Sequence, residues 1–338
     1  MVGYVLTLRS DKRKQSLNSN MPSQIMASTV IAERNTLVET LQMCPLCSGT
    51  SFRTLRIPGH WIGGEFFRRT GGGLGLRRCQ SCSLSFVNPR PARELLNAFY
   101  DSENYVCHNA DSGNTKTAQF LLECVTRYGP YPAKRLLDFG CGGGFLLRAA
   151  RDDKWEAVGY DVGRRARSSC DAQGLHVTAD LGDLASSSFD VVFLNHVFEH
   201  ISEPQSVLSE CRRVLRKDGK LFIVVPNLAG LRARLSAPLL SKHFNVDERH
   251  RAFPIHLFYF APDTLSRTLE KHGFRMAGVE TFGLGMDEFI NRPGGGGDSK
   301  GGTKAPLPKK KSGIRRILKK TFFEAHLGEN LLAVARPA

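Results

Sequence analysis

The chain has 338 residues, 41% of them hydrophobic and 23% charged, which excludes a disordered polymer and fits one large or two unequal domains. Its 47 Lys and Arg against 32 Asp and Glu give a formal charge of +15, which ordinarily points to an anionic partner. Nine basic residues and one acid between Asp298 and Lys320 carry +8 of that charge, so the remainder is only mildly basic. No apolar run approaches the roughly 20 residues that span a bilayer, which excludes a transmembrane helix.

Residues 1–42 read as a flexible leader, polar at its start, with Met21 and Met26 as alternative starts. Charges follow the apolar patch of Met1 to Arg9 and no small-residue cleavage site comes after it, unlike a secretory signal. A cytoplasmic protein is expected. Residues 43–90 hold two knuckles, Cys44-Pro45-Leu46-Cys47 and Cys79-Gln80-Ser81-Cys82, separated by 31 residues. Two thiolates from each complete a closed tetrahedral site, so Cys44, Cys47, Cys79 and Cys82 are expected to hold one structural zinc in a ribbon-like module. Cys107, Cys124, Cys141, Cys170 and Cys211 show no comparable pairing. Residues 91–130 read as a helical connector from the spacing of Leu95, Leu96 and Phe99, then Phe120, Leu121 and Val125.

From 131 to 338 strand-sized apolar runs alternate with amphipathic stretches, the rhythm of an α/β domain with a parallel sheet. Strands are expected over 135–139, 157–160, 176–178, 189–194 and 220–225, one after Gly273, and a last one over 330–335. Residues 294–312, rich in Gly, Lys and Pro, read as a disordered basic loop, and helical spacing resumes over Ile314 to Phe323.

The segment Leu136-Leu137-Asp138-Phe139-Gly140-Cys141-Gly142-Gly143-Gly144-Phe145 puts glycines where a strand turns into a helix, so that backbone can approach a ligand. A dinucleotide fingerprint begun at Gly140 requires glycine at 145, where Phe145 stands, and one begun at Gly142 fails at Leu147. A second acid, Asp161, ends the next strand in Val158-Gly159-Tyr160-Asp161, about 20 residues on.

The pattern D-x-G-x-G-x-G, Asp138 through Gly144, resembles the class I S-adenosylmethionine-dependent methyltransferases over about residues 92 to 338. Further landmarks are Asp180-Leu181, Phe189-Asp190-Val191-Val192, Glu199-His200 with Pro204, and Leu215 through Leu221. The resemblance implies a Rossmann-like seven-stranded sheet with an antiparallel last strand. It also implies an S-adenosylmethionine site built from Asp138, Gly140, Cys141, Gly142, Gly144, Asp161, Val162, Asp180, Leu181 and Asn195. Asp138 would lie near the methionine amino group, Asp161 at the ribose and Asp180 at the adenine.

Methyl transfer needs an aligned nucleophile and, for hydroxyl or carbon acids, a base. His256, within the polar-aromatic region His250 to Phe260, and His200, in the loop after the fourth strand, are the candidate bases. Leu228 to Phe244 reads as an amphipathic lid. The stretch Asn195-His196-Val197-Phe198 lacks the Pro-Pro-aromatic or Pro-Cys signature of base-methylating enzymes. A zinc module ahead of this fold also resembles sugar C-methyltransferases, but those continue into another α/β domain. The expected acceptor is a small molecule, glycan or lipid-linked metabolite, with an RNA methyltransferase and a non-catalytic zinc-ribbon binding protein as alternatives. Lys309 to Phe323 combines basic charge with apolar residues at helical spacing, which suits a solvated linker and a helix packed beside the cofactor domain, contact with an anionic inner membrane face or contact with nucleic acid phosphates.

Overall fold

The computed structural model describes residues 37–57, 64–68, 70, 73–102, 112–231, 233, 252–283 and 326–338. Most of the expected leader, the bulk of the lid, His250 and the basic stretch 294–323 lie outside these residues.

Near the start, β1 (Val38–Glu39) precedes β2 (Phe52–Thr54), β3 (Leu76–Cys79), β4 (Ser85–Val87) and β5 (Arg90–Pro91). Two helices follow, Arg93–Asp101 and Ser112–Arg127, before the main sheet begins. That sheet contains β6 (Arg135–Phe139), β7 (Glu156–Tyr160), β8 (Val177–Thr178), β9 (Phe189–Asn195) and β10 (Leu215–Pro226). After β11 (Phe258–Tyr259) come β12 (Phe274–Phe282) and β13 (Asn330–Pro337). The order across the sheet is β12-β13-β10-β9-β6-β7-β8. The pairs among β6 to β10 are parallel, and β13 runs antiparallel to both β10 and β12. This is the expected Rossmann-like α/β fold with an antiparallel last strand. β10 begins at Leu215, five residues before the expected start, because Leu215 pairs with Phe189 ahead of a register shift.

The central strands are apolar on both faces, as burial under helices on each side demands. Side chains alternate between the faces. Leu136, Val191, Phe193, Phe222 and Val224 meet Leu121, Leu122 and Val125 of helix Ser112–Arg127 and Leu146 and Ala150 of helix Phe145–Asp152. Phe193 and Phe222 stack there with ring centroids 5.6 Å apart. Leu137, Val192, Leu194, Ile223 and Ala333 belong to the other core, with Leu208 and Val214 of helix Pro204–Val214 and Leu265 and Leu269 of helix Pro262–Lys271.

The cysteine module shares that second core: Cys44, Leu76, Cys79 and Phe86 lie in the same cluster. Its sheet, of order β11-β4-β3-β2, takes its edge strand from far along the chain. Phe258 pairs with Phe86 and Tyr259 with Ser85. Two residues are too few to show a period of two, so sequence alone reads this segment only as part of the polar-aromatic region His250 to Phe260.

The chain leaves β6 for β7 and β8 on one side and then crosses to β9 and β10 on the other. The crevice outside the carboxyl ends of β6 and β9 is therefore the switch point at which ligands bind in such sheets.

Candidate active site at the switch point

After Phe139 the chain passes Gly140, Gly142 and Gly144, at φ of 77°, 51° and 75°, before helix Phe145–Asp152. Glycine alone visits this region without steric cost. Space requires it as well: a Cβ on Gly140 would lie 2.5 Å from Val197 Cγ2, and one on Gly144 2.6 Å from Leu175 Cδ1. Bare backbone is thus presented where β6 ends, with the Gly140 N–H tied to Tyr160 O at 2.7 Å.

Asp138 stands two residues before Gly140 and is 3% exposed. Burial, reinforced by the charge of Asp161, pushes its carboxyl up to about 8, and no hydrogen-bond donor among the described residues offsets this. A buried acid without a donor is costly, and a cation beside it would remove that cost. The ammonium of S-adenosylmethionine is such a cation, so the residues present fit that cofactor.

Asp161 faces the same loop. Its Oδ2 accepts the Gly142 N–H at 2.9 Å and its Oδ1 the Gly163 N–H at 2.8 Å. Each oxygen keeps a lone pair for a hydroxyl. Val162 beside it is 64% exposed, an apolar surface with nothing packed on it among the described residues. Cys141 is buried behind the loop, and Cys170 Sγ lies 3.3 Å from the Gly142 carbonyl. At the end of β8, Asp180 Oδ1 caps the short turn Leu181–Asp183 by accepting the Gly182 N–H at 2.8 Å; its other oxygen has no bond within the turn. Leu181 is half-buried and Asn195 closes β9. The expected cofactor residues therefore lie at the carboxyl ends of β6 to β9.

The candidate bases share one acid. Glu199, in the short turn Phe198–His200, is fully buried. Its Oε1 lies 3.3 Å from His196 Nδ1, 4.0 Å from His200 Nε2 and 3.9 Å from His256 Nε2. Burial alone would raise this carboxyl, but the hydrogen bond from His196 and the surrounding histidines outweigh it and hold it down at about 2. Burial pushes His200 down despite the nearby carboxylate. His200 Nδ1 meets Ile255 O and Tyr100 Oη, each at 3.0 Å. A carbonyl only accepts, so Nδ1 carries the proton and the bare Nε2 faces Glu199. His196, exposed and at φ 53° directly after β9, lies in the loop that holds His200 but is not one of the two bases expected from sequence. Its signal was a polar side chain at the end of an apolar strand, one position past the last strand residue.

The four cysteines converge as their spacing implies. Sγ of Cys44 and Cys82 are 3.6 Å apart, those of Cys47 and Cys79 3.5 Å, and all four lie within 4.8 Å of one another. A tetrahedron with Zn–S of about 2.3 Å has edges of about 3.8 Å. Burial pushes Cys44 up to about 11 and Cys82 up further, which a bound cation would reverse.

A groove of about 1430 Å³ runs between helices Ser112–Arg127 and Phe145–Asp152 and β12. It holds neither the glycines nor His196, His200 or His256, and plays no part in this site.

A family model described as a methyltransferase domain matches residues 113–278. The ubiquinone biosynthesis O-methyltransferase of Hahella chejuensis is 33% identical over 116 residues, covering 31% of this chain and 49% of that protein. The one from Methylococcus capsulatus is 29% identical over 172 residues, covering 48% and 72%. In most of these curated matches the chain spans about half of the relative's length or less. A crystal structure of a SAM-dependent methyltransferase from Archaeoglobus fulgidus aligns with TM-score 0.44 and 19% identity over 66% of this chain and 94% of its own. Glycine loop, paired acids, sheet order and family match agree: the chain carries a class I S-adenosylmethionine-dependent methyltransferase domain.

Proposed function

We propose that the protein methylates a hydroxyl group of a small, sugar or lipid-linked metabolite. The observation that carries this reading is Asp138, a buried carboxylate without a donor beside bare backbone. Asp138 would hold the cofactor's ammonium, the loop Gly140–Gly144 its carboxylate end, Asp161 its ribose, and Val162, Asp180 and Leu181 its adenine. When bound, that cofactor supplies a methyl group on a sulfonium leaving group. The protein's remaining tasks are to align an acceptor at the ends of β6 and β9 and to take up its proton.

Two observations favour a hydroxyl. The curated relatives are named O-methyltransferases. An acid ringed by His196, His200 and His256 stands beside the loop, a setting that can orient a histidine base. In the same reading Cys44, Cys47, Cys79 and Cys82 hold a structural zinc, residues 43–90 form its module, and Lys309 to Phe323 gives peripheral contact with anionic lipid.

Methyl-labelled cofactor offered to catechols with and without prenyl tails, to nucleotide sugars and to total RNA tests the acceptor. Label in a hydroxyl-bearing metabolite is expected; label in RNA alone overturns the reading. Liposome flotation that is unchanged when Lys309 to Lys320 are neutralised removes the membrane contact.

A further inference from the structure

We propose that His196, held by Glu199, is the base that takes the acceptor's proton. This rests on the hydroxyl-acceptor reading above and names the residue that serves it.

Three histidines surround Glu199, and geometry separates them. The Nε2 atoms of His200 and His256 both lie near the carboxylate, at 4.0 and 3.9 Å, and neither ring is exposed. The side chain of His196 is 41% exposed and presents Nδ1, not Nε2, to the same oxygen. The carboxylate is ionised and only accepts, so the proton of His196 resides on Nδ1 and Nε2 is left bare on the exposed side of the ring. This is the logic of a carboxylate-oriented imidazole base, in which the buried acid sets the tautomer and steadies the imidazolium that forms.

Placement agrees with the role. The His196 N–H is anchored to Val224 O of β10 at 2.9 Å. Val197 packs so closely over Gly140 that a Cβ there would collide with it. His196 therefore follows the carboxyl end of β9 and directly precedes the side chain that covers the start of the glycine loop. Its φ of 53° is a conformation that non-glycine residues seldom adopt, and such strain gathers at sites that require a particular aim. Glu199 is itself fixed from behind: its carbonyl accepts the Leu257 N–H at 2.8 Å, and Leu257 O accepts the Val87 N–H at 2.9 Å.

In the step, an electron pair of the acceptor oxygen forms the bond to the methyl carbon while the S–CH3 pair stays on sulfur, leaving a neutral thioether. The hydroxyl proton passes to His196 Nε2 and then to solvent.

The experiment uses the full chain, wild type and the variants His196→Gln, His196→Ala and Glu199→Gln. S-adenosylmethionine affinity by calorimetry is expected to stay within about twofold in both His196 variants. With a catechol probe that the wild type methylates, kcat is expected to fall 10²- to 10⁴-fold in His196→Gln with KM little changed, and the acidic limb of the pH–rate profile is expected to vanish. Charged and titratable groups facing this ring are Glu199 and, across it, His200 and His256, so His256→Gln is run in parallel and should keep that limb. Nitrogen-15 spectra should show His196 protonated at Nδ1 in the wild type and a mixed tautomer in Glu199→Gln. A wild-type kcat and pH profile in His196→Gln, or an Nε2-protonated ring in the wild type, overturns the proposal. If the wild type methylates no hydroxyl probe, the acceptor reading fails, and the tautomer measurement still decides the dyad.

Discussion

Asp161 Oδ2 accepts the backbone N–H of Gly142 at 2.9 Å, so the acid at the end of β7 also shapes the loop at the end of β6. Charge-assisted hydrogen bonds of this kind contribute about 1.5–3 kcal/mol. Asp161→Ala should therefore weaken S-adenosylmethionine about 10- to 100-fold through loop order alone, and more once the ribose contact is lost. Asp161→Asn should fall between, because an amide oxygen can accept one of the two backbone bonds. Calorimetry on both variants measures this, and equal affinity in all three proteins would remove Asp161 from the site.

Asp138 gives a pH dependence of definite sign. Its carboxyl is raised to about 8 in the folded apo protein, against about 4 in an unfolded chain. The folded state then holds the extra proton, and apo stability falls as pH rises through that window. Asp138→Asn should stabilise the apo protein at pH 8, by on the order of 1 kcal/mol, while weakening the cofactor. Wild-type affinity should rise with pH below about 7.5, above which an α-amino group loses its own proton, because binding expels the proton from Asp138. Thermal melts between pH 6 and 8 read the first effect and calorimetry between pH 6 and 7.5 the second.

Gly140→Ala should be destabilising by about 2 kcal/mol, since its positive φ and the 2.5 Å approach to Val197 act together. Pairing it with Val197→Ala should restore only part of the loss, because the backbone strain remains. Chemical denaturation of the single and double variants separates the two contributions.

Metal analysis should find about one zinc per chain, lost in Cys44→Ser with Cys79→Ser, and a stoichiometry near zero would refute the ribbon. Because β4 pairs with β11, loosening the module should reach the site. Amide exchange at Val87 and Leu257, whose bonds lead from β4 to Glu199, should accelerate in that variant. Protection at Leu257 that is unchanged would show that the two parts hold independently.

Much of the fold is legible in sequence because strands buried on both faces become continuous apolar runs, as in Val191 to Leu194, and because a glycine bend announces itself by residue type alone. Asp138 and Asp161 are legible for the same local reason: each stands at the end of such a run. His196 was not, since nothing in Asn195-His196-Val197 states that a carboxylate three residues on will turn back to meet it. His256 and His200 stood out as histidines beside aromatic or acidic neighbours, yet which nitrogen of each carries a proton depends on Ile255 and on packing around Glu199.

By itself the sequence determined the kind of ligand pocket and the two cysteine pairs, because each follows from a short spacing that one loop or one strand end satisfies locally. Only the tertiary structure decided that β11 completes the cysteine module's sheet and that three histidines gather on one buried acid. Those relations join positions 57 residues apart at His256 and Glu199 and as many as 174 apart between β4 and β11, and chain entropy over such distances is overcome by burial of the shared core, which no local pattern records.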